Sequence, residues 1–568
     1  MTAVQPSYVH GASDTPLRGE TIGQMFRAVV EQYADTEALV SRHQGLRYTY
    51  RQLGELVDRA ARALMALGIE RGERVGIWST NNAEWVITQF ATARMGAILV
   101  NVNPAYRQHE LEYALAQSGV KLLITAPGFR AHDYRLTLSN IVPELANSRP
   151  GSLHSQRLPD LRTVVLLGGQ SAPGMLAWDD LLQHAGDVTQ EALEARAGEL
   201  QFDDPINIQY TSGTTGRPKG ATLSHHNILN NGYFIGEAMR FTSADRLCIP
   251  VPLYHCFGMV LGNLACVTHG ATMIYPSEAF DPLAVLECVQ EERCTALHGV
   301  PTMFIAELDH PEFARFDLTS LRTGLMAGSP CPVEVMKRVN TVMHMTEVEI
   351  AYGMTETSPV SFQTLADDET ERRVGTVGAI HPHVEAKVVD PANGQVVPRG
   401  QAGELLTRGY LVMLGYWGNE EATRESIDAA RWMHTGDLAV MRPDGYLNIV
   451  GRIKDMIIRG GENVYPREVE EFLYGHPKIA DVQVIGVPDV KYGEEIMAWV
   501  RLKEGETAEP DEIRDYCRGK IATFKIPRYV KFVDAFPMTV TGKIQKYLMR
   551  QQATEELGLD QAAKVAMA

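Results

Sequence analysis

Residues 210–220, "YTSGTTGRPKG", concentrate the residue types that can hold a phosphate group. Glycines let backbone N–H groups curl around an anion, hydroxyl side chains add hydrogen-bond donors, and Lys219 adds a positive charge. The Walker A spacing is not met, because Pro218 precedes Lys219 and Gly220 follows it. The segment is therefore interpreted as a phosphate loop of another kind, with a flexible surface loop as the alternative.

The stretch "AYGMTETSP", residues 351–359, offers an aromatic ring, a hydroxyl and a carboxylate at Tyr352, Thr355 and Glu356. Mg²⁺ prefers hard oxygen ligands and commonly takes one carboxylate together with substrate phosphates. The stretch is therefore a candidate metal and nucleotide site. The alternative for Glu356 is an exposed loop carboxylate.

Two further segments carry a charge at a turn. Asp437 in "HTGDL" can accept hydrogen bonds from two vicinal hydroxyls, with an Asx-type turn residue as the alternative. Lys543 in "TVTGKIQK" follows Gly542, and on its own it would be interpreted as a solvated surface residue. The basic run at 518–531, "RGKIATFKIPRYVK", is either an anion-binding patch or a solvated surface.

Length and composition limit the class of protein. A chain of 568 residues is too long for one hydrophobic core, so at least two domains are expected. The net charge of −17 argues against a general nucleic-acid binder, and an anionic ligand would need locally concentrated cations. An apolar content of 45% and a charged content of 22% are typical of a soluble enzyme.

The seven cysteines form no CxxC pair and show no metal-ligand spacing. Such thiols indicate a reducing compartment and a role in packing. The sequence shows neither a secretory signal at its start nor an apolar segment of about 18–20 residues. We therefore expect a cytoplasmic protein without stable membrane insertion.

The first third of the chain alternates helical and strand-like patterns. "TIGQMFRAVVEQYA" opens with Thr21 and has Gln24 three residues later, a capping-box signature. Apolar positions recur at helical spacing in "YTYRQLGELVDRAARALMALGI", and strands are expected at "RVGIWS", "GAILVNVN", "KLLIT" and "TVVLLG". Strands that alternate with helices predict parallel βαβ units. A second α/β series runs from Ile206 to about Glu349, and 145–160 is interpreted as a loop.

The pattern changes after about residue 375, where short strands joined by "NG", "RG" and "AG" turns predict a β-rich subdomain. The pattern of the C-terminal part predicts a helix at "PREVEEFLYGH", strands at "DVQVIGV" and "IMAWVRL", a helix near 511–519 and a strand at "YVKFVDAF". We therefore predict an α/β fold. A large N-terminal domain at 1–453 holds two α/β subdomains and the β-rich one, and a small α+β domain at 454–568 follows.

Motifs spread over nearly the whole chain carry a family resemblance. In order they are "YTSGTTGRPKGATLSH" (210–225), "PLYHCFGM" (252–259), "AGSP" (327–330), "AYGMTETSP" (351–359), "HTGDL" (434–438), "GRIKDMIIRGGENVYP" (451–466) and "TVTGKIQK" (539–546). The chain resembles the adenylate-forming superfamily of acyl- and aryl-CoA synthetases, luciferases and peptide-synthetase adenylation domains. It looks most like medium- and long-chain fatty acyl-CoA synthetases.

The resemblance implies a two-step reaction that uses ATP, Mg²⁺ and coenzyme A. A medium- to long-chain fatty acid is converted to acyl-AMP with release of pyrophosphate, and CoA then displaces AMP. Aryl, branched or terpenoid acids remain alternative substrates, and a separate carrier protein remains an alternative acceptor. "HCFGMVLGNLACV" holds no acidic residue for an α-ammonium group, which argues against an amino acid. No nucleic-acid partner is expected, and a homodimer is left open.

The resemblance also assigns residues to the nucleotide site. It implies that the catalytic residues are Lys543, Glu356, Thr355 and His255. The metal ligands would be Glu356 and Thr215. ATP and AMP would be bound by Thr211, Ser212, Gly213, Thr214, Thr215, Gly216, Lys219, Gly328, Ser329, Tyr352, Gly353, Thr355, Asp437 and Arg452.

The remaining assignments concern domain motion, CoA and the acyl chain. By resemblance, the small C-terminal domain is mobile and pivots at Lys454, so that Lys543 acts only in adenylation. CoA would contact Gly460, Gly461 and Lys525. The acyl pocket would be lined by His255, Met259, His298, Val300, Met303, Met326 and Gly328. Methionine is also a common gap-filler in cores, and a histidine between apolar residues can be purely structural.

Overall fold

The computed structural model describes residues 5–169, 171–211, 218–329, 331–460, 462–539 and 544–559. The chain divides into two compact units. The N-terminal unit comprises Val9–Ala386 and Thr407–Met433. The C-terminal unit comprises Met1–Tyr8, Lys387–Leu406 and His434–Ala568. The domain boundary between residues 453 and 454 stays a prediction.

Both units contain α-helices. They are α1 Ile22–Gln32, α2 Tyr50–Ala66, α3 Ala83–Met95, α4 Gln108–Ser118, α5 Tyr134–Ile141, α6 Trp178–Gln183, α7 Gln190–Gly198, α8 His225–Ala238, α9 Ala265–Val267, α10 Pro282–Glu292, α11 Pro301–Leu308, α12 Val333–Val342, α13 Thr370–Gly375, α14 Glu420–Ser426, α15 Pro466–Tyr474, α16 Pro510–Cys517 and α17 Lys546–Glu556. A π-helix at Phe257–Leu264 directly precedes α9.

The strands are mostly short. They are β1 Tyr8–His10, β2 Glu37–Ser41, β3 Leu46–Thr49, β4 Arg74–Trp78, β5 Ile98–Val102, β6 Val120–Thr125, β7 Gly128–Phe129, β8 His132–Asp133, β9 Thr163–Leu166, β10 Leu176–Ala177, β11 Pro205–Thr211, β12 Lys219–Ser224, β13 Arg246–Cys248, β14 Thr272–Tyr275, β15 Ala296–Leu297, β16 Thr323–Leu325, β17 Glu347–Glu349, β18 Ala351–Gly353, β19 Val360–Gln363, β20 Ala379–Ile380, β21 Val384–Val389, β22 Ala402–Gly409, β23 Gly415–Tyr416, β24 Met433–Met441, β25 Leu447–Arg452, β26 Ile457–Arg459, β27 Glu462–Val464, β28 Ile479–Asp489, β29 Gly493–Leu502 and β30 Tyr529–Phe532.

The capping box predicted at the start of α1 is present. The Thr21 hydroxyl accepts a hydrogen bond from the Gln24 backbone N–H at 3.2 Å, and Gln24 Oε1 accepts one from the Thr21 N–H at 2.8 Å. Two N–H groups that the first helical turn cannot satisfy are thereby paired. The apolar residues of α1 then face the core, with Met25 and Phe26 almost fully buried.

The first sheet of the N-terminal unit has eight strands in the order β10-β9-β6-β4-β5-β11-β12-β23. The strands predicted from "RVGIWS", "GAILVNVN", "KLLIT" and "TVVLLG" are β4, β5, β6 and β9, and they run parallel. Parallel neighbours need long crossover connections, which α3 and α4 provide. β11 runs parallel to β5 and antiparallel to β12, so Thr211 and Lys219 lie opposite each other.

The second sheet has seven strands in the order β17-β16-β15-β13-β14-β2-β3. β13 pairs in parallel with both β14 and β15, and β16 pairs in parallel with β17. These strands come from the second α/β series predicted between Ile206 and Glu349. A small antiparallel sheet, β18-β19-β20, follows it along the chain and carries the 351–359 motif. The predicted α/β class is confirmed.

The predicted β-rich region after about residue 375 holds β20 to β25. In the C-terminal unit, β24 and β25 are antiparallel, and β28 and β29 form a long antiparallel pair. β30 adds to β29 in parallel, and α15 and α16 lie where the sequence predicts helices. The α+β character of this part of the chain is confirmed.

No helix within the described ranges is long and apolar enough to cross a membrane. All seven cysteines are buried free thiols.

Candidate active site

Glu356 is the centre of a polar cluster in the N-terminal unit. Its carboxylate oxygen Oε1 accepts a hydrogen bond from the Tyr416 hydroxyl at 2.9 Å and one from the Thr211 hydroxyl at 3.3 Å. Thr211 ends β11, Tyr416 ends β23, and Glu356 lies in the 3₁₀ turn Thr355–Thr357 after β18. Only 6% of Glu356 is exposed. A buried carboxylate is thus held in place by two hydroxyls from other elements.

Lys219 adds a positive charge to this cluster. Its Nζ lies 5.1 Å from the centroid of the Tyr416 ring, within the range of a cation–π contact. Burial and then the negative charge of Glu356 raise the pKa of Tyr416 above its usual value. The Tyr416 hydroxyl therefore stays protonated at neutral pH and serves as a donor to the carboxylate.

The loop that carries Glu356 depends on a glycine. β18 and β19 are antiparallel, and a Cβ on Gly353 would lie 1.7 Å from the Pro359 carbonyl oxygen. That oxygen also accepts hydrogen bonds from the Met354 N–H at 3.0 Å and the Thr357 hydroxyl at 2.7 Å. Tyr352 is half-buried beside Phe362, with ring centroids 6.5 Å apart. The turn that presents Thr355 and Glu356 is consequently rigid.

The 252–259 motif meets the 351–359 motif. The sulfur of Cys256 lies 4.0 Å from the Thr355 hydroxyl oxygen. The neighbouring His255 accepts a hydrogen bond at Nδ1 from the Phe257 N–H, at 3.2 Å. The fold thus places His255 close to the residues predicted to bind the nucleotide.

His298, predicted to line the acyl pocket, is fully buried and hydrogen-bonded at both ring nitrogens. Nδ1 accepts from the Leu325 N–H at 3.1 Å, so Nε2 carries the proton and donates to the Leu261 carbonyl at 2.9 Å. Burial lowers the pKa of His298 to about 4, so the ring is neutral at neutral pH. Its ring lies 5.5 Å from that of Phe257, beside the π-helix.

Of the other predicted acyl-pocket residues, Val300, Met303 and Met326 are buried, whereas Gly328 is exposed. A Cβ on Gly328 would lie 3.2 Å from Cγ1 of Val300, so these two residues are in contact. Met303 is 6% exposed, and Met326 has no exposed surface and packs in the core beside the second sheet. Contact of these residues with an acyl chain stays a prediction, and for Met326 the packing role already accounts for its position.

Met259 lies against buried amides that the sequence did not single out. Its sulfur accepts hydrogen bonds from Asn101 Nδ2 at 3.4 Å and Gln209 Nε2 at 3.6 Å. Asn101 also donates to the Tyr254 carbonyl at 2.9 Å. A polar residue inside an apolar strand, as in "AILVNV" and "INIQY", was the only sequence signal for these positions.

Tyr416 is a further residue that sequence analysis missed, in addition to Asn101 and Gln209. Its signal is weak, a tyrosine after a glycine in "MLGYWGN". Only the pairing of β23 with β12 brings its ring over Lys219 and its hydroxyl to Glu356.

Asp437 and Arg452 form a pair in the C-terminal unit. They lie opposite each other on β24 and β25, and Arg452 Nε is 3.1 Å from Asp437 Oδ1. Asp437 is 7% exposed, and its N–H donates to the Thr435 hydroxyl at 3.1 Å. A buried carboxylate beside an exposed guanidinium suits the predicted recognition of ribose hydroxyls.

The predicted hinge and CoA residues also lie in the C-terminal unit. Lys454 is exposed in the 3₁₀ turn Ile453–Asp455, where partial desolvation and then the charge of Arg452 lower its pKa. Gly460 has a φ of +60°, and its N–H donates to the Tyr492 carbonyl at 2.8 Å. The Lys525 ammonium pairs with Glu468 at 2.5 Å. Their roles stay predictions.

Several predicted site residues lie outside the described residues, and their roles also stay predictions. They are Ser212, Gly213, Thr214, Thr215, Gly216, Gly461 and Lys543. The predicted nucleotide contact Ser329 is described, and its carbonyl accepts a hydrogen bond from the Cys331 thiol at 3.7 Å.

Two family models match the chain. The model described as "AMP-binding enzyme" matches residues 26–417, and that described as "AMP-binding enzyme C-terminal domain" matches residues 468–543. The first includes Thr211, Lys219, Glu356 and Tyr416.

Similar proteins are found over almost the full length. A putative acyl-CoA synthetase, YngI, of Bacillus subtilis is 53% identical, over 95% of this chain and 98% of its own. The mitochondrial medium-chain acyl-CoA ligase ACSF2 of Danio rerio is 49% identical, over 97% of this chain and 91% of its own.

Solved structures show the same architecture. The anthranilate CoA ligase AuaEII in complex with anthranoyl-AMP is similar with a TM-score of 0.84 and 27% identity, covering 96% of this chain and 99% of that one. ATP-bound MatB from Rhodopseudomonas palustris is similar with a TM-score of 0.78 and 29% identity, covering 93% of this chain and 98% of that one.

Proposed function

The chain belongs to the AMP-binding enzyme family, and from this premise we propose that it ligates medium-chain fatty acids to CoA through an acyl-AMP intermediate. The similarity to ligases of medium-chain acids, at 45% identity or more over 97% of the chain, supports this substrate class. ATP and CoA are its other substrates.

The cluster at Glu356 carries the proposal. A buried carboxylate beside two hydroxyls and an ammonium group offers hard oxygen ligands and positive charge in one place. This donor set fits Mg²⁺, which Glu356 would hold together with the predicted ligand Thr215. Bound there, Mg²⁺ would offset negative charge on the phosphate oxygens of ATP.

In the first step, an oxygen of the fatty-acid carboxylate attacks the α-phosphorus, and the bond to pyrophosphate breaks. Lys219 and Thr211 are proposed to stabilise the charge that develops on the phosphate oxygens. Tyr416 keeps the Glu356 carboxylate fixed, so no reorganisation is needed during the reaction. Tyr352 is proposed to stack on the adenine.

In the second step, the thiol of CoA attacks the acyl carbon, a C–S bond forms, and the bond to AMP breaks. Asp437 is proposed to hold the ribose hydroxyls through both steps. Positioning and fixed charge, rather than a covalent enzyme intermediate, supply the rate enhancement.

An apolar acyl site supports the lipid assignment. Val300, Met303 and Met259 are buried residues of one hydrophobic cluster, which also contains Cys256, the neighbour of His255. Flexible methionine side chains suit an alkyl chain. A cytoplasmic location and a homodimer stay predictions.

The test is pyrophosphate release with ATP and Mg²⁺, measured over saturated acids from acetate to palmitate and over benzoate and anthranilate, with and without CoA. We expect the highest kcat/KM at medium chain length and CoA-dependent release of AMP. Glu356→Gln is the matched control, because it keeps the size of the side chain and its ability to accept hydrogen bonds but removes the negative charge.

Preference for benzoate or anthranilate over every fatty acid would reject the lipid assignment and favour an aryl-CoA ligase. Pyrophosphate release that CoA does not accelerate would instead indicate loading of a carrier protein. Release that no acid stimulates would overturn the ligase assignment altogether.

A further inference from the structure

Three cysteines, none of which belongs to the Glu356 cluster, converge in the N-terminal unit. The sulfurs of Cys248, Cys288 and Cys294 all lie within 4.8 Å of one another, and those of Cys248 and Cys288 are 3.7 Å apart. All three side chains have no exposed surface. Three ligand atoms of one soft type are thus gathered in one buried place.

The fold creates this cluster from residues that the linear spacing does not relate. Cys248 ends β13, Cys288 lies within α10, and Cys294 follows the end of that helix. Arg293, with a φ of +48°, reverses the chain so that the Cys294 N–H donates to the Val289 carbonyl at 3.0 Å. Cys294 thereby returns to the helix beside Cys288. The sequence prediction of ordinary packing thiols with no metal-ligand spacing did not anticipate this convergence.

A positive charge lies against the cluster. Arg42 Nη2 pairs with Glu291 at 2.5 Å, and Arg42 Nη1 is buried with no nitrogen or oxygen partner among the described residues. The Arg42 guanidinium is close enough to Cys288 for an electrostatic interaction with its sulfur. A cation beside a cysteine stabilises the thiolate, which is the form that binds metals.

We propose that Cys248, Cys288 and Cys294 form a structural site for one thiophilic divalent ion of the zinc class. Zinc–sulfur bonds of about 2.3 Å in a tetrahedral arrangement place two sulfurs about 3.8 Å apart. The separation of 3.7 Å between Cys248 and Cys288 matches this value. Small side-chain rotations bring the third sulfur to the same distance.

Arg42 offsets part of the charge of a loaded site. Three thiolates and a divalent ion leave one net negative charge, and the Arg42 guanidinium lies beside it while also pairing with the exposed Glu291. A buried charge is costly unless it is paired, so the nearby cation lowers the cost of loading the site. Three ligands leave a tetrahedral ion one further position, unlike a closed four-cysteine site.

The position in the fold indicates what the ion would do. Cys248 lies on the strand that leads into the 252–259 motif, and its carbonyl accepts a hydrogen bond from the backbone N–H of His298 at 3.2 Å. An ion shared by β13 and α10 would link a helix to this strand. It would stabilise the N-terminal unit and take no part in the ligase reaction.

The experiment measures metal content of the full chain, purified with a reducing agent, stripped with a chelator and dialysed against Zn²⁺. We expect about one zinc per chain for the wild type, measured by elemental mass spectrometry, and loss of that ion in Cys288→Ser. Cys266→Ser is the matched control, because Cys266 is also a buried free thiol in the same unit but lies outside the cluster. It should keep the ion. Replacement by Co²⁺ should give thiolate-to-cobalt charge-transfer absorption in the wild type and in Cys266→Ser.

Arg42→Met leaves all three sulfurs in place and tests the charge argument if Cys288→Ser fails to fold. We expect its zinc affinity to fall about 10–100-fold, the usual effect of losing an outer-shell partner. The proposal is overturned if the wild type retains no more zinc than a Cys248, Cys288 and Cys294 triple serine variant, or shows no charge-transfer band. It is also overturned if Cys266→Ser loses as much metal as Cys288→Ser.

Discussion

At the residue scale, the chemistry of Glu356 depends on its neighbours. A lone glutamate on a loop would be solvated, whereas this one is buried and hydrogen-bonded by Thr211 and Tyr416. The hydroxyls fix the orientation of the carboxylate, and the Lys219 ammonium lies over the Tyr416 ring. Tyr416 therefore acts as a positioning residue.

Tyr416→Phe removes the hydroxyl 2.9 Å from Glu356 and keeps the ring beside Lys219. A hydrogen bond to a charged group contributes about 1.5–3 kcal/mol, so kcat/KM for pyrophosphate release should fall about 10–100-fold. Tyr233→Phe is the matched control, since the Tyr233 ring stacks on His269 and the hydroxyls described on Glu356 are those of Tyr416 and Thr211. Equal activity of Tyr416→Phe and the wild type would show that Tyr416 does not position Glu356.

A second prediction concerns Glu349, which precedes the 351–359 motif. Burial raises the pKa of Glu349 from 4.5 to about 8, and Gln363 Nε2 donates to its carboxyl group at 2.5 Å. The unfolded chain ionises this group near pH 4.5 while the folded protein keeps the proton up to about pH 8. The neutral Glu349 carboxyl group therefore does not destabilise the folded protein at low pH. As the pH rises from about 4.5 to about 8, the free energy of unfolding decreases, because only the unfolded chain releases the proton.

Glu349→Gln cannot ionise, so its stability relative to the wild type should improve with rising pH. The expected change is up to about 1.4 kcal/mol per pH unit, measured by urea unfolding at several pH values. Thr341→Ala, at an exposed residue of α12 that has no ionisable group, is the control and should show a flat difference. A flat difference for Glu349→Gln as well would contradict a buried neutral carboxyl group.

At the element scale, the short antiparallel pair β18 and β19 presents the catalytic turn. Its two strands approach so closely that residue 353 has no room for a side chain, since a Cβ there would lie 1.7 Å from the Pro359 carbonyl oxygen. The same oxygen accepts two hydrogen bonds from the turn. The glycine thus permits the backbone packing that holds Thr355 and Glu356.

Gly353→Ala should lower the free energy of unfolding by about 1–3 kcal/mol, the usual cost of overpacking, and reduce pyrophosphate release. Gly375→Ala is the control, because no atom lies within 4 Å of the Cβ that it would add. It should leave both quantities near the wild-type values. If the two variants behave alike in urea unfolding, the close approach at residue 353 is not a real constraint.

At the scale of the whole molecule, the predicted site residues are divided between two compact units. Thr211, Lys219 and Glu356 belong to the N-terminal unit, whereas Asp437, Arg452 and Lys454 belong to the C-terminal unit. The predicted reaction has two half-reactions with different acceptors, and each would need different residues beside the nucleotide. Small backbone changes at the end of an element can reorient a whole unit, so a division into two units suits such a reaction.

Lys543→Ala should lower the rate of acyl-AMP formation about 10²–10³-fold, the size of one transition-state donor. It should spare thioester formation from supplied acyl-AMP. Lys503→Ala is the control, since it removes another lysine of the C-terminal unit, whose ammonium donates to the Pro477 carbonyl at 2.6 Å. Equal losses in both half-reactions would contradict a role for Lys543 in adenylation alone.

Lys454→Pro should show the opposite pattern, because proline fixes φ and hinders rotation about the predicted hinge. We expect acyl-AMP formation to persist and thioester formation to slow, as measured by single-turnover assays of each half-reaction. Thermal unfolding of the variant checks that it is folded. Unchanged thioester turnover would argue against a hinge at this residue.

Local patterns and ordered motifs were predictable from the sequence. The capping box at Thr21 and Gln24, the positions of the strands β4, β5, β6 and β9 and the α+β order of the C-terminal part follow from neighbouring residues, because hydrogen bonds and side-chain periodicity within an element are local. The motifs that carry Lys219, Glu356 and Asp437 also identified the family correctly.

Contacts between distant segments needed the tertiary structure. Tyr416 reaches Glu356 across 60 positions of sequence, and the sulfurs of Cys248 and Cys288 meet across 40. Neither pair is related by a helical or strand period. Which strands become neighbours in a sheet, and which helix packs against them, is decided by the burial of apolar surface over the whole chain, and no single stretch of sequence contains that information.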